Sequence, residues 1–192
     1  MSSIYAIAVW SSVIFGYQLE QMNLREGVVS ILSYLLLALP FGPMGEELGW
    51  RGFMLPRLLQ KYNVWRSSLI LGLVWTFWHL ASFTFPGAAI PSIFSVSAWT
   101  IFLFLLNILA ETLFMTAVFL NTKGSVLIAI LFHAAFNASS NIVLTTFPQV
   151  ENNVAQIEII YIVNIILTTL MAIVFLLSSR YVKNMPSDDV PA

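Results

Sequence analysis

The chain has 192 residues, 59% of them hydrophobic and only 9% charged, with a net charge of −1. Runs without a single charge cover 1–19, 27–45, 124–150 and 159–179, more apolar length than a water-soluble domain of this size can bury. A soluble globular domain is therefore excluded, the lipid bilayer becomes the surrounding solvent, and so few basic residues offer no footprint for a nucleic-acid partner.

In chain order, the first apolar stretch, 4–18, has no positively charged leader and no clear small-residue cleavage site, so it is expected to be a retained span and not a signal peptide. The second, 28–40, runs on through a kink at Pro40, Gly42 and Pro43 into the segment carrying Glu46. The uncharged run 67–110 is too long for one crossing, and Pro86, Gly87 and Pro91 divide it into spans at 67–85 and 98–120. Two further spans are expected at 125–147 and 157–177. The runs are continuously apolar and lack the alternation of a membrane β-barrel, so the fold class is all-α, a polytopic transmembrane bundle of about six helices. Residues 1–183 are expected to form a single integral membrane domain, followed by a polar tail at 184–192.

Orientation follows from the basic residues. Arg51, Arg57, Lys61, Arg66, Lys123, Arg180 and Lys183 all fall on one side of this map, and Arg25 stands alone on the other. Both termini are therefore expected in the cytoplasm. The absence of cysteine removes disulfides, a thiol nucleophile and thiolate metal sites.

Chemistry concentrates in three places. In GEELGWRG, helical spacing puts Glu47 and Arg51 on one face, where they can pair, and rotates Glu46 about 100° away as the carboxylate left free for other work. In WTFWH, His79 sits deep in the third span with Trp75 one turn before it. In HAAFN, His133 and Asn137 share a face of the fifth. Measured from the basic helix ends, Glu46 is roughly 22 Å deep, His79 roughly 20 Å, His133 roughly 15 Å and Asn137 roughly 21 Å, so four polar groups from three helices reach one level.

Each motif also has a purely structural reading: an ion pair locking two helices, a hydrogen-bonded core histidine, a helix–helix contact. Their coincidence at one depth, with the chain's only two histidines in it, points instead to a site. An intramembrane carboxylate costs several kcal/mol, roughly 2.5 to 3.5 by insertion scales, and persists where chemistry or pairing uses it.

These three motifs, in order and approximate spacing over residues 36–141, resemble the signatures of the CPBP family. That family comprises the type II CAAX prenyl endopeptidases together with bacteriocin-processing and immunity membrane proteins, also called Abi proteins. The resemblance implies an intramembrane endopeptidase, integral to a bacterial plasma membrane, acting on a peptide or on a lipidated or membrane-bound protein. It implies that Glu46 and His79 activate water, that His133 and Asn137 stabilise the oxyanion, and that Glu47 and Arg51 support Glu46. No cofactor is expected. Two departures stand out: a short chain, without the N-terminal spans many relatives have, and an additional membrane acid, Glu111.

Other functions remain open on the residues themselves. Glu46, His79 and His133 could form a His₂Glu zinc set with Glu47 as base, although no H-E-x-x-H is present. A transporter or proton relay would also place Glu and His at mid-depth, usually with an inverted repeat that is absent here. A non-catalytic immunity protein could bind a peptide in the same place.

Overall fold

The computed structural model describes residues 13–17, 24–34, 37, 39–40, 42–80, 97–146 and 153–179. Most of the expected first span, most of the loop at 85–97 and the C-terminal tail lie outside the described residues. Among the described residues the elements are helices joined by turns, with no strand: α1 (Leu24–Ser33), α2 (Pro43–Gly49), a π-helical turn (Trp50–Met54), α3 (Leu55–Leu59), α4 (Val64–Leu80), α5 (Ala98–Asn121), α6 (Val126–Thr146) and α7 (Val154–Ser178). The all-α expectation holds. Two helices, Ile101–Asn121 within α5 and all of α7, are long and apolar enough to cross a membrane by length and composition.

Several boundaries fall outside the apolar runs because capping sets them. Asn63 accepts a hydrogen bond from the Arg66 amide through Oδ1 at 2.9 Å, which starts α4 at Val64 and takes Arg66 into the helix. Asn153 does the same for Gln156 at 3.1 Å and starts α7 at Val154. Between α5 and α6, Lys123 and Gly124 both adopt positive φ, and the Gly124 amide closes on the Phe119 carbonyl at 2.8 Å, reversing the chain.

The stretch around Pro40 and Pro43 is bridged by wide turns. Neither proline can donate, and backbone bonds from Leu39 to Tyr34 and from Met44 to Leu39, each spanning five residues, carry the chain past them. From Pro43 the path is one helix to Leu59, widened once at Trp50–Met54, where the Leu55 amide reaches the Trp50 carbonyl.

The core lies between α5, α6 and α7. Phe114, Met115 and Val118 interlock with Ala129 and Phe136 and with Ile157, Ile160 and Ala172. Polarity along α7 runs opposite to that of a soluble helix. Asn164 and Thr168 are fully buried, whereas Ile162, Ile166, Leu170 and Val174, spaced one turn apart, face outward. Apolar residues outside and polar ones inside is the arrangement a lipid solvent selects.

α4 and α5 approach closely at Gly72. A Cβ there would come within 2.9 Å of Leu109 and 3.3 Å of Thr112. Gly72→Val should therefore force the helices apart and lower stability by about 1 to 3 kcal/mol, read as a lower unfolding temperature in detergent.

Candidate active site

Glu47 is the deepest element of the site. It has no solvent exposure, and its Oε1 accepts hydrogen bonds from Arg51 at 2.7 Å and from His133 Nδ1 at 2.8 Å. The expected Glu47–Arg51 pair is present, and His133 from α6 is a second partner that helical spacing could not reveal. Arg51 is equally buried, with its guanidinium 5.0 Å from the centre of the Trp75 ring. Its Nε and second NH₂ have no hydrogen-bond partner, so Glu47 and the indole face together hold the cation.

Trp75, 2% exposed, organises the remainder. Its indole N–H donates to Glu46 Oε2 at 2.7 Å, and its backbone carbonyl accepts from His79 Nδ1 at 2.9 Å, one turn along α4. Its ring stands edge-on to His79 and to His133, each at 5.3 Å. Glu46 is thus not the unattached carboxylate expected from the helical wheel. One oxygen is fixed by Trp75, a role for which the sequence offered only the one-turn spacing to His79.

Hydrogen-bond partners also place one proton on each histidine ring. A carbonyl only accepts, so His79 Nδ1 carries a proton, and in the neutral ring Nε2 keeps the lone pair. A carboxylate paired with Arg51 likewise only accepts, so His133 presents Nδ1–H to Glu47 and turns Nε2 elsewhere.

Glu46, His79, His133 and Asn137 all border one cavity of about 120 Å³, room for about four waters. Glu47 and Arg51 lie behind it as support. α5 and α7 add residues to the same cavity that the motifs did not include: Phe104, Asn107, Glu111 and Tyr161. Tyr34, following α1, lies beside Asn137. An amide in a long apolar run was the available signal for Asn107, and Glu111 was visible only as an unexplained acid. A separate groove of about 280 Å³ reaches Glu46 along Gly45 and Gly49 between Trp50 and Trp78. Among the described residues no group of three or more His, Cys, Asp or Glu is disposed to hold a metal ion.

The family model for type II CAAX prenyl endopeptidase Rce1-like proteins matches residues 28–139, more than half of the chain and every residue of the three motifs. The chain belongs to the Rce1-like family. A curated relative, CAAX prenyl protease 2 of Methanococcus maripaludis, is 29% identical over 152 residues, covering 76% of this chain and 55% of the relative. The chain thus spans about half the length of the curated Rce1-like protein it matches. No solved structure matches it.

Within this Rce1-like site, Arg51→Ala should leave Glu47 buried beside His133 without its permanent cation. A loss of about 3 to 5 kcal/mol is expected, seen as a strongly lowered unfolding temperature and poor yield in detergent.

Proposed function

We propose that this chain is an intramembrane endopeptidase in which Glu46 activates water for attack on a peptide carbonyl. The observation that supports it most directly is the Glu46 carboxylate, anchored by Trp75 at one oxygen, on the wall of a cavity shared with both histidines and Asn137. Glu46 takes one proton from water, and His79, with its lone pair on Nε2, orients the attacking oxygen. The oxyanion that forms is met by the Asn137 amide and by His133. To donate from Nε2 while Nδ1 is bonded to Glu47, His133 must carry both protons, and Glu47 is its counter-ion. Collapse of the intermediate breaks the C–N bond, and Glu46 returns its proton to the leaving amine.

This reading is metal-free and glutamic in type. A zinc version would need Glu47 as base, yet Oε1 of Glu47 is already shared between Arg51 and His133. The substrate class is a lipidated or membrane-bound peptide, prenylated protein ends above all, in keeping with the family and with the relative's name. Residues 1–183 act as one membrane domain of six crossings, with both termini and the basic loops cytoplasmic. Reporter fusions at Asn121 and at the C-terminus should both read cytoplasmic, and opposite readings would discard this topology.

The decisive measurement is cleavage of a fluorogenic peptide carrying a farnesylated cysteine, with its unprenylated counterpart in parallel. Wild type should release product, and Glu46→Gln, equal in shape but unable to take the proton, should reduce kcat by at least about 10² while remaining folded. Equal rates in the two proteins would remove the general-base assignment.

A further inference from the structure

The proposed reaction uses every titratable group of the motifs and leaves Glu111 unassigned, although it borders the same cavity. Its surroundings are those of a fixed group. Asn107, one turn earlier on α5, donates from Nδ2 to Glu111 Oε1 at 2.7 Å, and Asn164 of α7 donates from Nδ2 to Asn107 Oδ1 at 2.7 Å. All three are buried, with Asn164 at 0%, Asn107 at 4% and Glu111 at 8% exposure. The relay runs toward the acid: Asn107 turns its NH₂ to Glu111 and its carbonyl to Asn164. The relay locks one oxygen of Glu111 and with it the orientation of the other.

A packing link between α5 and α7 does not require an acid. Glutamine would close the same chain without placing an ionisable group at membrane depth, where it is disfavoured. Among the described residues no basic side chain lies within ion-pair distance of Glu111. His133 and Arg51 act on its charge only from beyond ion-pair distance, so an acid held by one oxygen on the wall of the reacting cavity is placed to accept from a partner that enters with the substrate.

We propose that Glu111 receives the leaving nitrogen of the scissile peptide bond. With Oε1 tied to Asn107, Oε2 accepts a hydrogen bond from the N–H on the amine side of that bond. The step balances without further reagents. Water gives a proton to Glu46 and its oxygen adds to the carbonyl carbon. The C–N bond then breaks, its electron pair passes to nitrogen, and nitrogen takes the proton from Glu46. Glu111 exchanges no proton. Its hydrogen bond strengthens as the nitrogen gains positive character, so the interaction favours the transition state over the bound substrate. This assignment rests on the endopeptidase reading and deepens it by naming the group that holds the amine half of the substrate.

Glu111→Gln is the primary test, with the farnesylated fluorogenic peptide as probe. The Gln carbonyl can still accept from Asn107, so the unfolding temperature should stay near that of wild type. Its NH₂ would then oppose the leaving N–H, and kcat should fall about ten- to a hundredfold with KM little changed. Asn164→Leu is the second variant. Asn164 Oδ1 has no partner, so an apolar replacement of similar size removes one unsatisfied group, takes the donor from Asn107 Oδ1 and cuts the relay outside the cavity. It should lower kcat several-fold, again without raising KM. A purely structural role would move the unfolding temperature and leave this split unaltered. Wild-type kcat in Glu111→Gln overturns the assignment while leaving the endopeptidase reading intact. If Glu111→Gln does not fold, wild-type kcat in Asn164→Leu overturns it. If wild type itself cleaves neither peptide, both readings fall together.

Discussion

A carboxylate with no access to water, deep among apolar helices, is stable only if its charge is answered on the spot, and Glu47 is answered by Arg51 and His133. That single oxygen joins α2, the π-helical turn after it and α6. Arg51 in turn lies over Trp75 of α4, whose indole N–H holds Glu46. The position of the proposed base is thus decided two contacts away, by a Glu47–Arg51 pair that does not itself line the cavity. Both neighbours of the chemistry are fixed in the same manner, since His133 leans on Glu47 and His79 on the Trp75 carbonyl. Preorganisation of this kind is what electrostatic catalysis in a low-dielectric site requires.

Lipid as solvent explains why such a cluster can exist in so small a chain. With apolar residues favoured on the outside, the hydrophobic effect does little to hold one helix against another, and buried polar contacts and close approach take over. Asn121 of α5 reaches the Phe175 carbonyl of α7, Asn164 reaches Asn107, and Gly72 lets α4 lie against Leu109 and Thr112. The polar residues that join the helices and those that would do chemistry are drawn from one interior set. Asn107 connects the two, bonded to Asn164 of α7 and to Glu111.

Size limits what the cavity itself can take. About 120 Å³ accommodates water and a peptide bond, not a lipid chain, so the bulk of any lipidated substrate must lie outside it. The larger groove along Gly45 and Gly49 meets the cavity at Glu46, with Trp50 and Trp78 packed edge to face at 6.4 Å on its flank. In the proposed reaction a site of this shape would bring the reacting bond to a narrow polar interior and leave the remainder of the substrate in an apolar setting.

The residues alone determined the solvent and the helical class, and they marked the positions proposed to carry the chemistry. Uncharged runs exclude water, and helical spacing alone pairs Glu47 with Arg51. Counting depth from basic helix ends brought Glu46, His79, His133 and Asn137 to one level, and in the structure all four line one cavity. Helix starts at Val64 and Val154 were not legible, because an asparagine cap outside the apolar run sets them and hydropathy does not register a single hydrogen bond. The tertiary structure alone decided that His133 binds Glu47, that Trp75 fixes Glu46, and that Asn164 and Asn107 aim Glu111 into the cavity. Each of those contacts joins side chains on different helices or ends on one that does. Periodicity along a helix gives the face a residue occupies, whereas its partner depends on how that face is rotated against its neighbour, which only packing sets.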